Sequence, residues 1–111
     1  MECSTEVASD AIVAHIDGRV DEATWQDFGK GLSDAVAKAN SGGLKRLIID
    51  FSGLAYMSSR GLRALTVAKR EADEAGVTIE LASPNDVMRE ILAISRYDKL
   101  FKVTDAVEAN A

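Results

Sequence analysis

A nearly continuous apolar run, Leu47-Ile48-Ile49-Asp50-Phe51, lies between two stretches of helical periodicity. Such a run is typical of a strand that is covered on both faces, as in the centre of a parallel sheet. A helix is predicted before it, from Glu22 to Asn40, and another after it, from Arg60 to about Ala75. The inward positions of the two helices are predicted to be Trp25, Phe28, Leu32, Ala35 and Ala39, then Leu62, Leu65, Ala68, Ala72 and Ala75.

Shorter patterns complete the secondary structure. The segment from Ile12 to Arg19 places alternate residues on opposite faces and predicts a half-buried strand. The polar residues before Ala11 add a short edge strand. Val77, Ile79 and Leu81 predict another strand, and a last short strand is expected at Phe101 and Val103.

A third helix is predicted after Ser83, with Ser83 as its N-cap and Pro84 at its first position. Its apolar stripe comprises Val87, Met88, Ile91 and Leu92. Between the central strand and the second helix, Ser52-Gly53 is predicted to be a turn. The loop before the second helix then contains Met57 to Gly61.

Strands and helices therefore alternate along the chain, which favours the α/β class with a mainly parallel sheet. The length of 111 residues predicts one domain over residues 1–111, with an ordered core of about 11–103. Residues Glu108 to Ala111 are expected to fray. Folds of this class place their functional sites in the loops after the strands, and the loop at Met57–Gly61 occupies such a position.

Composition excludes several classes of function. Lys and Arg number 13 against 18 Asp and Glu, a net charge of −5 that disfavours a nucleic-acid partner. No apolar stretch approaches the roughly 20 residues of a membrane span, so no direct membrane insertion is expected. The N-terminal residues are polar and acidic, unlike a signal peptide, and Cys3 is the only cysteine. A cytoplasmic protein without disulfides is the resulting expectation.

The sequence offers little for catalysis. Its one histidine, His15, lies mid-strand, and no Gly-x-Ser-x-Gly motif is present, so a Ser-His-Asp triad is disfavoured. No metal-ligand spacing occurs, and Gly29-Lys30-Gly31-Leu32-Ser33 lacks the ending of a phosphate loop. We expect no enzyme activity, no metal and no cofactor. Ser58 and Ser59 precede a predicted helix, where serine is a favoured N-cap.

A longer pattern includes those serines. The segment Leu47-Ile48-Ile49-Asp50-Phe51-Ser52-Gly53-Leu54-Ala55-Tyr56-Met57-Ser58-Ser59-Arg60-Gly61-Leu62 resembles the STAS domain family, in particular its single-domain anti-sigma-factor antagonists. Gly18-Arg19-Val20-Asp21 and Glu80-Leu81-Ala82-Ser83 continue the resemblance, which spans about Ala11 to Val103. It implies a single STAS-like domain with a mixed, mainly parallel sheet of four to five strands and three or four helices.

The resemblance also implies a site. Ser59 matches the serine that a partner anti-sigma-factor kinase phosphorylates, and Asp21 matches an acidic position near the partner surface. Ser58, Arg60 and Gly61 complete the implied partner-binding residues. Many antagonists have Asp-Ser-Ser-Gly where this chain has Ser58-Ser59-Arg60-Gly61, which makes Ser58 a second candidate acceptor.

The implied function is a non-enzymatic switch. The dephosphorylated protein sequesters the kinase, the phosphorylated form releases it, and a serine phosphatase resets the cycle. The alternative is a constitutive STAS adaptor in a transporter, lipid-trafficking or signalling assembly, and a more distant one is a small serine hydrolase that depends on His15.

Overall fold

The computed structural model describes residues 1–108 and contains five strands and three α-helices. Of the residues predicted to fray, Glu108 is described and its carbonyl accepts a hydrogen bond from Arg46, whereas residues 109–111 lie outside the described residues. In chain order, the elements are β1 (Glu2–Ala8), β2 (Ala11–Val20), α1 (Trp25–Ser41), β3 (Arg46–Met57), α2 (Ser59–Ala75), β4 (Thr78–Ala82), α3 (Asp86–Ile94), a 3₁₀ turn (Tyr97–Lys99) and β5 (Lys102–Thr104). The predicted α/β class and the mixed sheet are confirmed, and the edge strand β1 is longer than the sequence indicated.

The strands lie in the sheet in the order in which they occur in the chain. β1 pairs with β2 antiparallel, while β2, β3, β4 and β5 are parallel to one another. Each crossover therefore moves one strand in the same direction, and crossovers of one hand place their helices on the same side of the sheet. The main core accordingly joins the buried faces of the helices to one face of the strands.

The central strand β3 is buried on both faces, as its apolar run predicts. Leu47, Ile49 and Phe51 pack in the main core beneath the helices. Ile48 points to the other face, where it forms a small cluster with Ala11, Val13 and Ala82. Polar side chains share that second face. Arg46 donates hydrogen bonds to Glu80 and to Asp10 there, with its Nε 2.8 Å from Glu80 Oε2.

The predicted turn at Ser52-Gly53 is wrong, because β3 continues through it to Met57. The carboxylate of Asp50 accepts a hydrogen bond from the Ser52 N–H at 3.0 Å. This bond is typical of turns that begin with aspartate, but here it forms within the strand. The pairing of β2 with β3 shifts register in this region, between His15 and Asp17 and again between Gly18 and Arg19. The strand therefore bends with its neighbour and does not end.

The predicted start of α3 is also wrong. Asn85, not Ser83, is the N-cap, and its side-chain oxygen accepts from the Met88 N–H at 2.8 Å. Ser83 adopts a left-handed backbone with φ 57°, and its N–H donates to Thr104 O, which continues the contact with β5. Within the predicted stripe, Met88 and Leu92 are buried, but Val87 is 51% exposed.

Candidate functional site at the start of α2

The two serines lie where the parallel strands β2 and β3 end side by side. Val20 and Met57 are partners at the last position of that ladder. The Ser58 N–H donates to Val20 O at 2.8 Å, so the first residue after β3 is tied to the end of β2. The loop that follows β2 and the helix that follows β3 consequently begin at one edge of the sheet, where sites of α/β folds form.

Ser58 is the N-cap of α2. Its backbone is extended, with φ −79° and ψ 172°, and its Oγ accepts from the Gly61 N–H at 3.3 Å. Its carbonyl accepts from the Leu62 N–H at 3.0 Å. Capping, which the sequence allowed for either serine, is thus performed by Ser58 alone.

Ser59 is the first residue of α2, and it is exposed. Its side chain makes no hydrogen bond within residues 1–108. A hydroxyl in this position is accessible to another protein while its backbone is fixed by the helix. The structure therefore gives the two serines different environments, although they are neighbours in sequence.

Gly61 lies beneath the surface of the site. A Cβ at this position would come within 2.5 Å of Met57 Cγ and 2.7 Å of Val20 Cγ1, both on strand ends. Both neighbours are buried, so a side chain would push the first turn of α2 away from the sheet. Gly61 sets the height of Ser59 above the sheet and presents no side chain to a partner.

Asp21 organises the loop between β2 and α1. Its Oδ1 accepts from the Ala23 N–H at 3.0 Å and from the Thr24 hydroxyl at 3.1 Å. Its carbonyl accepts from the N–H groups of Thr24 and Trp25, so α1 begins at Trp25 and not at Glu22 as predicted. The hydrogen bond from Ala23, followed by that from Thr24, lowers the pKa of Asp21, so its carboxylate stays ionised.

Arg60 connects this loop to α2. Its guanidinium lies over the Trp25 ring, 5.4 Å from the centroid, and its Nε is 3.4 Å from Glu22 Oε2. Both charged side chains are largely exposed, so this ion pair is weak. A second contact between an arginine and an aromatic ring occurs at the strand ends, where the Arg19 guanidinium lies 4.8 Å from the centroid of the Tyr56 ring.

Trp25 is half-buried at the edge of the site, and not in the core as its helical spacing predicts. The pattern gave one signal, since Trp25 is the first position of its helical face, where a side chain lies at the rim. Trp25, Gly29, Ala64 and Val67 line a shallow cavity of about 260 Å³ between α1 and α2. Aromatic and arginine side chains at a surface are the types that dominate protein interfaces.

His15 belongs to another part of the molecule. It lies on the face of the sheet that carries Ile48, with Nδ1 2.7 Å from Asp50 Oδ2 and Nε2 3.1 Å from Glu6 Oε1. The hydrogen bond to Asp50, with that to Glu6, raises the pKa of His15. Both ring nitrogens are occupied by carboxylates, so His15 is not available as a base for either serine.

The described residues contain neither a metal-binding cluster nor a membrane-spanning helix. Within residues 1–108, no group of three His, Cys, Asp or Glu side chains is placed to hold a metal ion. No helix in the same part of the chain is long and apolar enough to cross a membrane.

Comparison with known sequences identifies relatives over nearly the whole chain. Residues 2–110 match the STAS domain family model. A STAS-domain-containing protein of Pseudomonas aeruginosa is 30% identical over 93 residues, covering 84% of this chain and 87% of the relative. BtrV of Bordetella bronchiseptica, named as an anti-sigma factor antagonist, is 25% identical over 100% of this chain and 92% of its own.

Solved structures share the fold at lower identity. The unphosphorylated form of the anti-sigma factor antagonist SpoIIAA superposes with a TM-score of 0.75 at 19% identity, covering 96% of this chain and 90% of SpoIIAA. The phosphorylated form of SpoIIAA from Bacillus gives a TM-score of 0.66 at 21% identity over 96% of this chain and 93% of its own. A sulfate transporter family protein of Wolinella succinogenes gives 0.74 at 16% identity over 92% and 82% of the two chains. At these identities the likeness shows the fold alone.

Proposed function

The chain belongs to the STAS domain family, and from that premise we propose that it is a cytoplasmic anti-sigma-factor antagonist controlled by phosphorylation of Ser59. In this proposal the protein is a binding switch and not an enzyme. Its dephosphorylated form binds and sequesters an anti-sigma factor that is a serine kinase. Its phosphorylated form releases that partner, and a serine phosphatase restores the first state.

The observation that carries the proposal is the difference between the two serines. Ser58 is committed to capping α2, whereas Ser59 is exposed with a free hydroxyl. By the resemblance of its motif, Ser59 also corresponds to the serine that is phosphorylated in anti-sigma-factor antagonists. The fold is also that of SpoIIAA, which has been solved in an unphosphorylated and a phosphorylated form.

Physical chemistry explains how a phosphate on Ser59 would act. It adds roughly −1.5 to −2 charge at neutral pH. At the first position of α2 this charge meets the positive end of the helix, which favours anions by about 0.3–1 kcal/mol. The fold therefore tolerates the modification. A partner packed closely over Ser59 would have to desolvate the phosphate. The partner would therefore dissociate without any refolding of the domain.

The proposed partner-binding face comprises Asp21, Ser58, Ser59, Arg60 and Gly61. Ser59 and Arg60 are exposed and are expected to contact the partner directly. The other three residues are expected to shape this face. Asp21 holds the loop, Ser58 caps α2, and Gly61 allows the close approach of α2 to the strands. Trp25 extends this face towards the cavity between α1 and α2.

A reconstitution with a candidate anti-sigma-factor kinase from the same organism tests the proposal. The parent protein is incubated with that kinase and ATP, and the phosphorylated residue is mapped by mass spectrometry. We expect phosphate on Ser59 and loss of the complex. Ser59→Ala should bind the kinase but remain unmodified, and Ser58→Ala serves as the matched control.

The second candidate is a constitutive adaptor, and the likeness to the fold of a sulfate transporter family protein supports it. An adaptor would hold its assembly without phosphorylation. It would keep its partner in the presence of kinase and ATP, and Ser59→Asp would bind as the parent does. The switch predicts release in both experiments.

A further inference from the structure

We propose that Arg63 binds the phosphate of phosphorylated Ser59 and thereby sets the lifetime of the phosphorylated state. The inference rests on the proposed function in one respect, that Ser59 is the residue that carries phosphate. Both residues lie in α2, four positions apart. Side chains at positions i and i+4 of a helix are neighbours, with Cβ atoms about 5–6 Å apart.

Arg63 is available for a new partner. Its side chain is exposed and makes no hydrogen bond, ion pair or ring contact with any of residues 1–108. Arg60 is closer in sequence, but it lies on Trp25 and pairs with Glu22. Adjacent residues of a helix also point in different directions, so Arg60 does not face Ser59 as Arg63 does.

Helix stability does not explain the position of Arg63. A cation near the start of a helix opposes the helix dipole, and the first turn of α2 contains no acidic residue to offset it. The residues three and four positions away from Arg63 are Ser59, Arg60, Thr66 and Val67, none of which is acidic. A phosphate on Ser59 would be the first anionic neighbour of this guanidinium within the helix.

Nearby carboxylates do not compete for Arg63. Glu22 faces the site from the loop before α1 and pairs with Arg60. Asp21, in the same loop, directs its Oδ1 to the N–H of Ala23 and the hydroxyl of Thr24. Arg19 lies on Tyr56 at the strand ends. Arg63 is therefore the cation placed to receive the phosphate.

The chemistry of the pair is that of a charge-assisted hydrogen bond. The planar guanidinium donates two parallel N–H bonds to phosphate oxygens, a geometry that arginine satisfies well. The pair favours the dianionic phosphate and holds it along α2. A phosphatase, which delivers water to phosphorus and returns the serine hydroxyl with release of inorganic phosphate, must first displace Arg63.

The test requires neither kinase nor partner. Phosphoserine is incorporated at position 59 during synthesis, and the phosphate is titrated by ³¹P NMR in the parent, Arg63→Gln and Arg70→Gln. Arg70 is an exposed arginine of the same helix that lies beyond the reach of residue 59. We expect Arg63→Gln to raise the second pKa of the phosphate by about 0.3 unit, and Arg70→Gln to leave it unchanged.

A kinetic readout complements the titration. A broad-specificity serine phosphatase should remove the phosphate faster from Arg63→Gln than from the parent or from Arg70→Gln. Equal titration midpoints and equal rates in parent and Arg63→Gln, with both folded by circular dichroism, would overturn the proposal. Because the phosphate is installed synthetically, this result leaves the kinase reconstitution as a separate test of the proposed function.

Discussion

The hydroxyl of Ser58 accepts a hydrogen bond from the Gly61 N–H at 3.3 Å, and this bond distinguishes Ser58 from the adjacent Ser59. It satisfies one of the free N–H groups at the start of α2. The bond also fixes the backbone from which Ser59 projects into solvent. Two neighbouring serines therefore have separate roles, one in forming the helix and the other in what the helix displays.

Removal of the cap should cost stability without moving the phosphorylation site. Ser58→Ala is expected to destabilise the domain by about 0.5–2 kcal/mol, measured by urea denaturation. Ser58→Asp retains a capping oxygen and should remain close to the parent, and Ser59→Ala should change the free energy of unfolding little. Phosphorylation of Ser58 in the parent would contradict this division of roles.

Gly61 should be intolerant of even one added carbon. Gly61→Ala places a Cβ 2.5 Å from Met57 Cγ and 2.7 Å from Val20 Cγ1, and we expect a destabilisation of about 1–3 kcal/mol. Gly29→Ala in α1 is the matched control, because its Cβ would meet Ala64 Cβ at an ordinary 3.6 Å. That control should be neutral or stabilising, since alanine favours a helix over glycine. Equal denaturation midpoints for both variants would refute the packing role.

His15 should make stability depend on pH. Its pKa is raised by Asp50 and Glu6, so the stabilisation is complete below the unfolded value of about 6.5 and is lost as pH rises through the higher folded value. The melting temperature of the parent should therefore exceed that of His15→Gln most at mildly acidic pH, and the difference should shrink at alkaline pH. A difference that stays constant from pH 5 to 9 would show that the histidine contributes by packing alone.

Asp50 determines how the stability contributed by the His15–Asp50 pair is lost at acidic pH. Burial raises its pKa, but the N–H of Ser52 and the His15 ring outweigh burial, and the folded pKa is lowered. Its contribution is therefore present above the unfolded value of about 3.9 and is lost as pH falls through the lower folded value. Asp50→Asn should flatten the acid limb of the melting-temperature profile, whereas Asp73→Asn, at an exposed pair on α2, should leave it unchanged.

Trp25 provides an intrinsic probe of the site because it is the only tryptophan in the chain. Arg60→Ala should change its emission, since the guanidinium no longer lies on the ring, while stability falls by no more than about 1 kcal/mol. Arg89→Ala removes a similarly exposed arginine that pairs with Asp105 on a different part of the surface. Its emission spectrum should match that of the parent. An unchanged spectrum in Arg60→Ala would show that the stacked arrangement is not populated in solution.

Hydrophobic periodicity predicts the architecture because the spacing of apolar residues determines which face of each strand and helix is buried. The run at Leu47–Phe51 and the helical faces that include Phe28 and Leu65 are buried as expected. Local turn signals were less reliable. Ser52-Gly53 resembles a turn but lies in a bent strand, and Ser83 resembles a cap but lies in a left-handed bend.

The environment of the site was harder to predict because it depends on contacts between distant segments. Arg60 meets Trp25 only because β2 and β3 end side by side, and single-sequence patterns do not encode that meeting. The structural role of Asp21 has a local origin instead, since it arises from Ala23 and Thr24 in the same loop, whose backbone geometry the sequence leaves open. The glycine at position 61 was identified by resemblance, and its physical reason became visible only in the packing.

The most direct test of the switch is the affinity of a candidate anti-sigma-factor kinase for four forms of this protein, measured by calorimetry in the presence of ADP. The forms are the parent, Ser59→Ala, Ser59→Asp and the protein with phosphoserine synthesised at position 59. The account predicts that the parent and Ser59→Ala bind alike, that Ser59→Asp binds more weakly, and that phosphoserine abolishes binding while its melting temperature stays near that of the parent. Undiminished binding by the phosphoserine form would contradict the account, as would a loss of binding accompanied by an equivalent loss of thermal stability.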